Sequence, residues 1–67
     1  MKIIDVNGRE REAVSVKRVS HEIPDALHGG IAATAEYVEA EIQGRMRIWT
    51  EWYPLEEFRT ANPKVQI

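Results

Sequence analysis

The chain has 67 residues, no cysteine, 30% charged residues and a net charge of −2. A chain of that length makes one domain, buries roughly 60% of the surface it exposes when unfolded, and holds a net stability of only ~3–5 kcal/mol unless it self-associates. No cysteine means no disulfide and no thiolate metal centre; the mild acidity argues against a general nucleic-acid binder, and 43% hydrophobic residues argue against disorder.

Residues 1–67 are read as a single domain. The stretch Met1-Lys2-Ile3-Ile4-Asp5-Val6 is too short and too soon charged for a signal peptide. No apolar run approaches the ~20 residues of a membrane span. A cytoplasmic setting without membrane contact is the expectation, because small secreted domains normally need disulfide staples.

In chain order, residues 2–6 form a first strand that ends at the turn dipeptide Asn7-Gly8. A charged stretch, Arg9-Glu10-Arg11-Glu12, leads into a second strand over about 13–21. Val14 and Val16 share one parity, while Val19 and Ile23 share the other. A one-residue shift in a period of two predicts a bulge near Lys17-Arg18 or a strong bend. Pro24 to Gly30 reads as a mobile loop with two glycines. Third and fourth strands are expected over about 33–42 and 45–52.

The segment from Ile31 to Ile42 has a rival, helical spacing, since Ile31, Ala35, Val38 and Ile42 also fit one helix face. Strand is preferred because the next segment pairs with it on paper. With Ile42-Gln43-Gly44 as a three-residue loop and Gly44 in the left-handed region, Glu41 faces Arg45, Glu39 faces Arg47 and Tyr37 faces Trp49. On the opposite side Ala40 faces Met46, Val38 faces Ile48 and Glu36 faces Thr50. Pairs of these kinds stabilise sheets.

Tyr53-Pro54 ends the fourth strand, and Pro54 suits the first position of a helix. Leu55 and Phe58 would point inward, with Glu56 and Glu57 at the positive end of the helix dipole. Asn62-Pro63 stops the helix, and Lys64-Val65-Gln66-Ile67 alternates like a fifth strand. The predicted core is Ile4, Val6, Val14, Val16, Val19, Val38, Ala40, Ile42, Met46, Ile48, Trp52, Leu55, Phe58 and Val65.

This order of elements, with a tight hairpin between the third and fourth strands and one helical turn before the last strand, resembles the SH3-like small barrel. The expectation is a mostly β fold: a five-stranded SH3-like barrel with one short helix. The resemblance is one of topology. The first long loop lacks the acidic-aromatic pattern of SH3 ligand binding, so proline-rich peptide specificity does not transfer. Small barrels serve as protein-binding, nucleic-acid-binding and assembly modules, and the fold alone selects none of them.

In the drawn register, Tyr37, Trp49 and Tyr53 form an outward stripe flanked by Arg45 and Arg47. Tyrosine and tryptophan bury much area at small entropic cost, so this stripe is the candidate partner-binding surface; the bland alternative is an aromatic patch packed beneath a terminus or the 24–30 loop. Arginine beside aromatic rings could also stack on nucleobases, which makes a weak nucleic-acid module the alternative function. His21, Glu22, Asp25 and His28 carry metal-ligand chemistry without a recognised spacing, so no metal is expected. Ser20 and His21 are adjacent and point to opposite strand faces, Gly29-Gly30 is not followed by phosphate-loop residues, and no cofactor or catalytic group is expected. The reading is a non-enzymatic module that binds a protein or itself, of a size and style that suit a bacterial or phage accessory protein.

Overall fold

The computed structural model describes residues 1–67. Four strands, β1 (Lys2–Ile4), β2 (Glu10–Pro24), β3 (Ile31–Gln43) and β4 (Ile48–Pro54), precede one helix, α1 (Leu55–Ala61). The strands form one curled antiparallel meander in the order β1-β2-β3-β4. The segment from Ile31 to Gln43 is a strand, so its helical spacing loses to sheet pairing on both sides.

The core lies between one face of the sheet and α1. Ile3, Ala13, Val38, Ala40, Ile42, Tyr53, Leu55 and Phe58 form it, with Val16, Trp49, Val65 and Ile67 packed at its margin. Tyr53 and Phe58 stack at 5.8 Å between ring centroids. The expected helix is present, with Pro54 at its N-cap and Leu55 and Phe58 as its buried residues.

Two polar residues are buried with the core. Asp5 accepts the backbone N–H groups of Asn7 and Arg9 at 2.9 Å each and the Arg11 Nε–H at 3.0 Å. It thereby anchors the turn in which Gly8 takes φ 79°. Asn62 accepts the Ile4 N–H at 2.6 Å and donates to the Ile4 carbonyl at 2.8 Å and the Phe58 carbonyl at 3.1 Å. One side-chain amide therefore imitates a neighbouring strand along β1 and closes the C-terminus of α1.

Several expectations are corrected. The fifth strand does not form: residues 64–67 lie outside the sheet, and Val65 and Ile67 instead pack on the core edge. The bulge sits at Val14, between Ala13 and Ser15, three residues before the predicted place. The loop expected after Pro24 is present, with Gly29 and Gly30 at positive φ; in it Asp25 accepts the Leu27 and His28 N–H groups, and the Asp25 N–H donates to the Gly30 carbonyl.

The largest correction concerns the β3–β4 register. Tyr37 pairs with Pro54, Val38 with Tyr53, Glu39 with Trp52 and Ile42 with Trp49. Relative to the drawn hairpin, each β3 residue meets a partner five positions further on. An odd shift turns every β4 side chain to the other face. Tyr53 is therefore buried and Trp49 turns inward, while Met46, Ile48 and Trp52, all assigned to the core, are exposed. Val6 and Val14 are exposed as well.

Gly44 does not have positive φ. Its N–H donates to the Arg47 carbonyl at 2.8 Å in a turn formed by residues 44–47. A β-carbon there would overlap the Trp49 ring, so the glycine is needed for close approach and not for handedness.

Candidate functional site

The five residues predicted to bind a partner do not form one stripe. Tyr53 is 2% exposed in the core. Its hydroxyl donates to Glu51 Oε1 at 2.7 Å, and the Trp49 indole N–H donates to the other oxygen of the same carboxylate. Burial, reinforced by the Glu51 hydrogen bond, pushes the Tyr53 phenol above its ordinary value of 10.0. Trp49, Glu51 and Tyr53 thus share the inward face of β4, where a carboxylate between two aromatic donors satisfies both. The spacing of two residues carried that signal, and the sequence reading passed over Glu51.

Arg45 and Arg47 sit on the exposed β3–β4 turn. Arg47 lies over the Trp49 ring at 5.6 Å, and neither arginine pairs with a carboxylate. The drawn pairs Glu41–Arg45 and Glu39–Arg47 are absent for the same reason of register. Glu39 instead meets Lys17 Nζ at 3.0 Å and accepts the Trp52 indole N–H at 3.2 Å. The hydrogen bond from Lys17 holds the Glu39 carboxyl below its ordinary range.

Tyr37 is on the outer face of the sheet, away from α1. There it shares a cross-strand row with Val19 and Pro54, beside rows formed by His21 with Ala35 and by Lys17, Glu39 and Trp52. The His21 and Tyr37 rings meet edge to face, 5.3 Å apart at 63°. His21, Glu22, Ile23, Pro24, Ala35, Tyr37 and Trp52 line a shallow groove of about 330 Å³. Trp52, which the sequence reading assigned to the core, is 55% exposed and forms the β4 wall of this groove. The outer face is where large exposed apolar and aromatic side chains gather without a covering layer.

The remaining polar candidates have local roles. The ring nitrogen Nδ1 of His28 lies 3.1 Å from Asp25 Oδ2 within the turn between β2 and β3. Hydrogen bonds from the His28 and Leu27 backbones hold the Asp25 carboxyl below its ordinary value. His21 packs on Tyr37, away from that pair. A broader concavity of about 530 Å³ lies between the β1–β2 turn and α1, beside Asp5 and Glu57. The Asp5 carboxylate in its wall is already committed to two backbone N–H groups and Arg11. No helix of the chain is long and apolar enough to cross a membrane.

No family model, no curated protein and no solved structure matches the chain.

Proposed function

We propose that this protein is a non-enzymatic interaction or assembly module that docks a protein surface on the outer face of its sheet, around Tyr37 and Trp52. Its curled sheet with a tight β3–β4 turn and a helix after β4 is read as an open relative of the SH3-like small barrel, with the closing strand absent. One observation carries the functional reading. Aromatic and apolar side chains, including a tryptophan 55% exposed and an isoleucine 48% exposed, line a groove that no element of the chain covers. Rigid aromatics are the usual anchors of protein interfaces.

A photo-crosslinking residue at position 52 tests this in the source cell, with position 56 on the exposed side of α1 as the control. Adducts to protein from position 52 and none from position 56 are expected. Adducts to nucleic acid, or equal labelling from both positions, would refute the assignment.

A second reading, weak nucleic-acid binding, draws on a different observation: Arg45 and Arg47 lack carboxylate partners, and Arg47 is stacked on Trp49. Phosphate contacts release counterions, so such binding would weaken steeply with salt. Fluorescence anisotropy of a labelled single strand at low salt decides it; no detectable binding there removes this reading.

A further inference from the structure

The apolar face of the β2–β3 ribbon changes sides along its length. Near the body, Val16, Val38 and Ala40 face α1. Further out, that same face carries the cross-strand partners Ser20 with Glu36 and Glu22 with Thr34, together with Arg18, whose guanidinium bonds the Glu36 carboxylate at 2.6 Å. The opposite, outer face carries Val19 with Tyr37, His21 with Ala35 and Ile23 with Ala33. A sheet with one apolar and one polar face packs its apolar face against another layer. Within the chain, α1 supplies that layer on the other side only.

We propose that the missing layer is a second copy of this chain, related by a two-fold axis, so that the two outer faces pack on each other. The proposal rests on the reading of that face as an interaction surface and names its occupant.

Charge favours a second copy. Lys17 and Glu39 are paired at 3.0 Å, and Glu39 also accepts the Trp52 N–H, so these two charges neutralise one another within each protomer, and Glu41, at the body end of the same face, is left without an ion-pair partner. Two identical faces then meet with the central charges already paired, and a two-fold axis across the arm sets the two Glu41 carboxylates at opposite ends of the contact. A strongly acidic or basic partner would find no complementary field there.

Shape favours it too. The molecule extends 46 × 26 × 19 Å with a radius of gyration of 14.2 Å, against ~11 Å for a compact domain of this length. The excess length is the arm formed by the outer parts of β2 and β3, where neither strand has a third neighbour. A lone two-stranded ribbon is marginally stable in water. Packing two arms face to face gives each a second layer and enlarges a core that is otherwise small.

Area sets the strength. About nine residues per strand at ~3.3 Å rise and two strands at ~4.8 Å spacing give a footprint of roughly 300 Å² in plan, which Trp52 extends across β4. Counted over both protomers this falls in the low range, below ~1,200 Å², of weak and transient contacts.

Sedimentation equilibrium of the full chain, from ~1 µM to ~1 mM, tests the proposal. The variants are Ile23→Glu, Trp52→Ser and Met46→Glu. Ile23 and Trp52 lie on the outer face and outside the core, and Met46 is on the distant β3–β4 turn, 95% exposed. Acrylamide quenching of Trp52 in a Trp49→Phe background is followed at the same concentrations. The expected result is a mass rising from one protomer toward two, with Trp52 protected as it rises. Ile23→Glu and Trp52→Ser should stay monomeric, and Met46→Glu should match wild type. A monomer throughout, with Trp52 freely quenched, overturns the second copy and leaves the open face to another protein. A monomer throughout with Trp52 shielded overturns the interaction reading as well, because the chain itself then covers the face. Self-association that survives both outer-face substitutions overturns the proposal by locating the contact elsewhere.

Discussion

Gly44 shows how one residue can be correct in position and different in cause. The turn prediction requires glycine for a left-handed backbone, whereas the structure requires it because the Trp49 ring occupies the space of a β-carbon. The two causes separate experimentally. Asparagine tolerates the left-handed region, so it would rescue a handedness problem and not a steric one. Gly44→Asn and Gly44→Ala are both expected to cost about 1–3 kcal/mol in urea unfolding. A smaller side chain at Trp49 should recover part of the loss in the double variant. Asp5 makes a second residue-scale case. Two backbone N–H groups and Arg11 hold its carboxyl below its ordinary value of 3.8, with the Arg9 N–H the largest contributor. A folded value below the unfolded one gives stability that is fully present above pH 3.8 and is lost as pH falls through the lower, folded value. Wild type should therefore lose its advantage over Asp5→Asn below that pH, as read from thermal unfolding midpoints measured between pH 7 and pH 2.5. A constant difference across that range would remove Asp5 from the account of acid stability.

At the scale of elements, α1 is short and depends on its connections. Seven residues form too little helix to persist alone, and Leu55 and Phe58 give it one buried face. Asn62 then ties its end to β1, a strand of only three residues, through both the N–H and the carbonyl of Ile4. Removing that amide takes the side-chain partner from the part-buried Ile4 N–H and carbonyl. Asn62→Ala is expected to cost about 1–3 kcal/mol. Asn62→Asp keeps the acceptor for the Ile4 N–H but sets an oxygen against the Ile4 carbonyl, so it should not restore stability. Equilibrium unfolding monitored by far-UV circular dichroism measures both, and wild-type stability in the aspartate variant would show that the donated bond contributes little.

The whole molecule divides into a packed body and an unsupported arm. Amides of Val38, Ala40 and Ile42 sit in a three-stranded region under α1, whereas those between Val19 and Ala35 belong to a two-stranded ribbon. Local opening is easier where few buried contacts must be broken. In dilute solution, hydrogen exchange should therefore be faster for the arm than for the body, with protection in the arm increasing as concentration rises. Arm protection equal to the body at the lowest concentration would contradict this division. The Arg18–Glu36 pair on the polar face of the arm is 39–41% exposed at its side chains, and such surface pairs contribute little to holding a ribbon closed.

The sequence by itself determined the order of the first four strands, the presence though not the register of the β3–β4 hairpin, the turn at Asn7-Gly8, and the helix with Leu55 and Phe58 inward. Each of these follows from local signals, namely turn residues, a proline at a helix start and short-range periodicity. It did not determine which face of β4 turns inward. Ile48, Thr50 and Trp52 alternate with Trp49, Glu51 and Tyr53, so both faces look buried, and the cross-strand charge pairs favoured on paper the register that the structure does not adopt. Tertiary contacts decided between them: Tyr53 stacks on Phe58, Glu51 satisfies the Trp49 and Tyr53 donors, and Gly44 makes room for the Trp49 ring. The same decision buried Tyr53, separated Trp49 from Tyr37, and exposed Trp52 beside Tyr37 on the outer face. The candidate surface was thus legible only at Tyr37, because a side chain's face depends on what packs across the sheet and not on its own period.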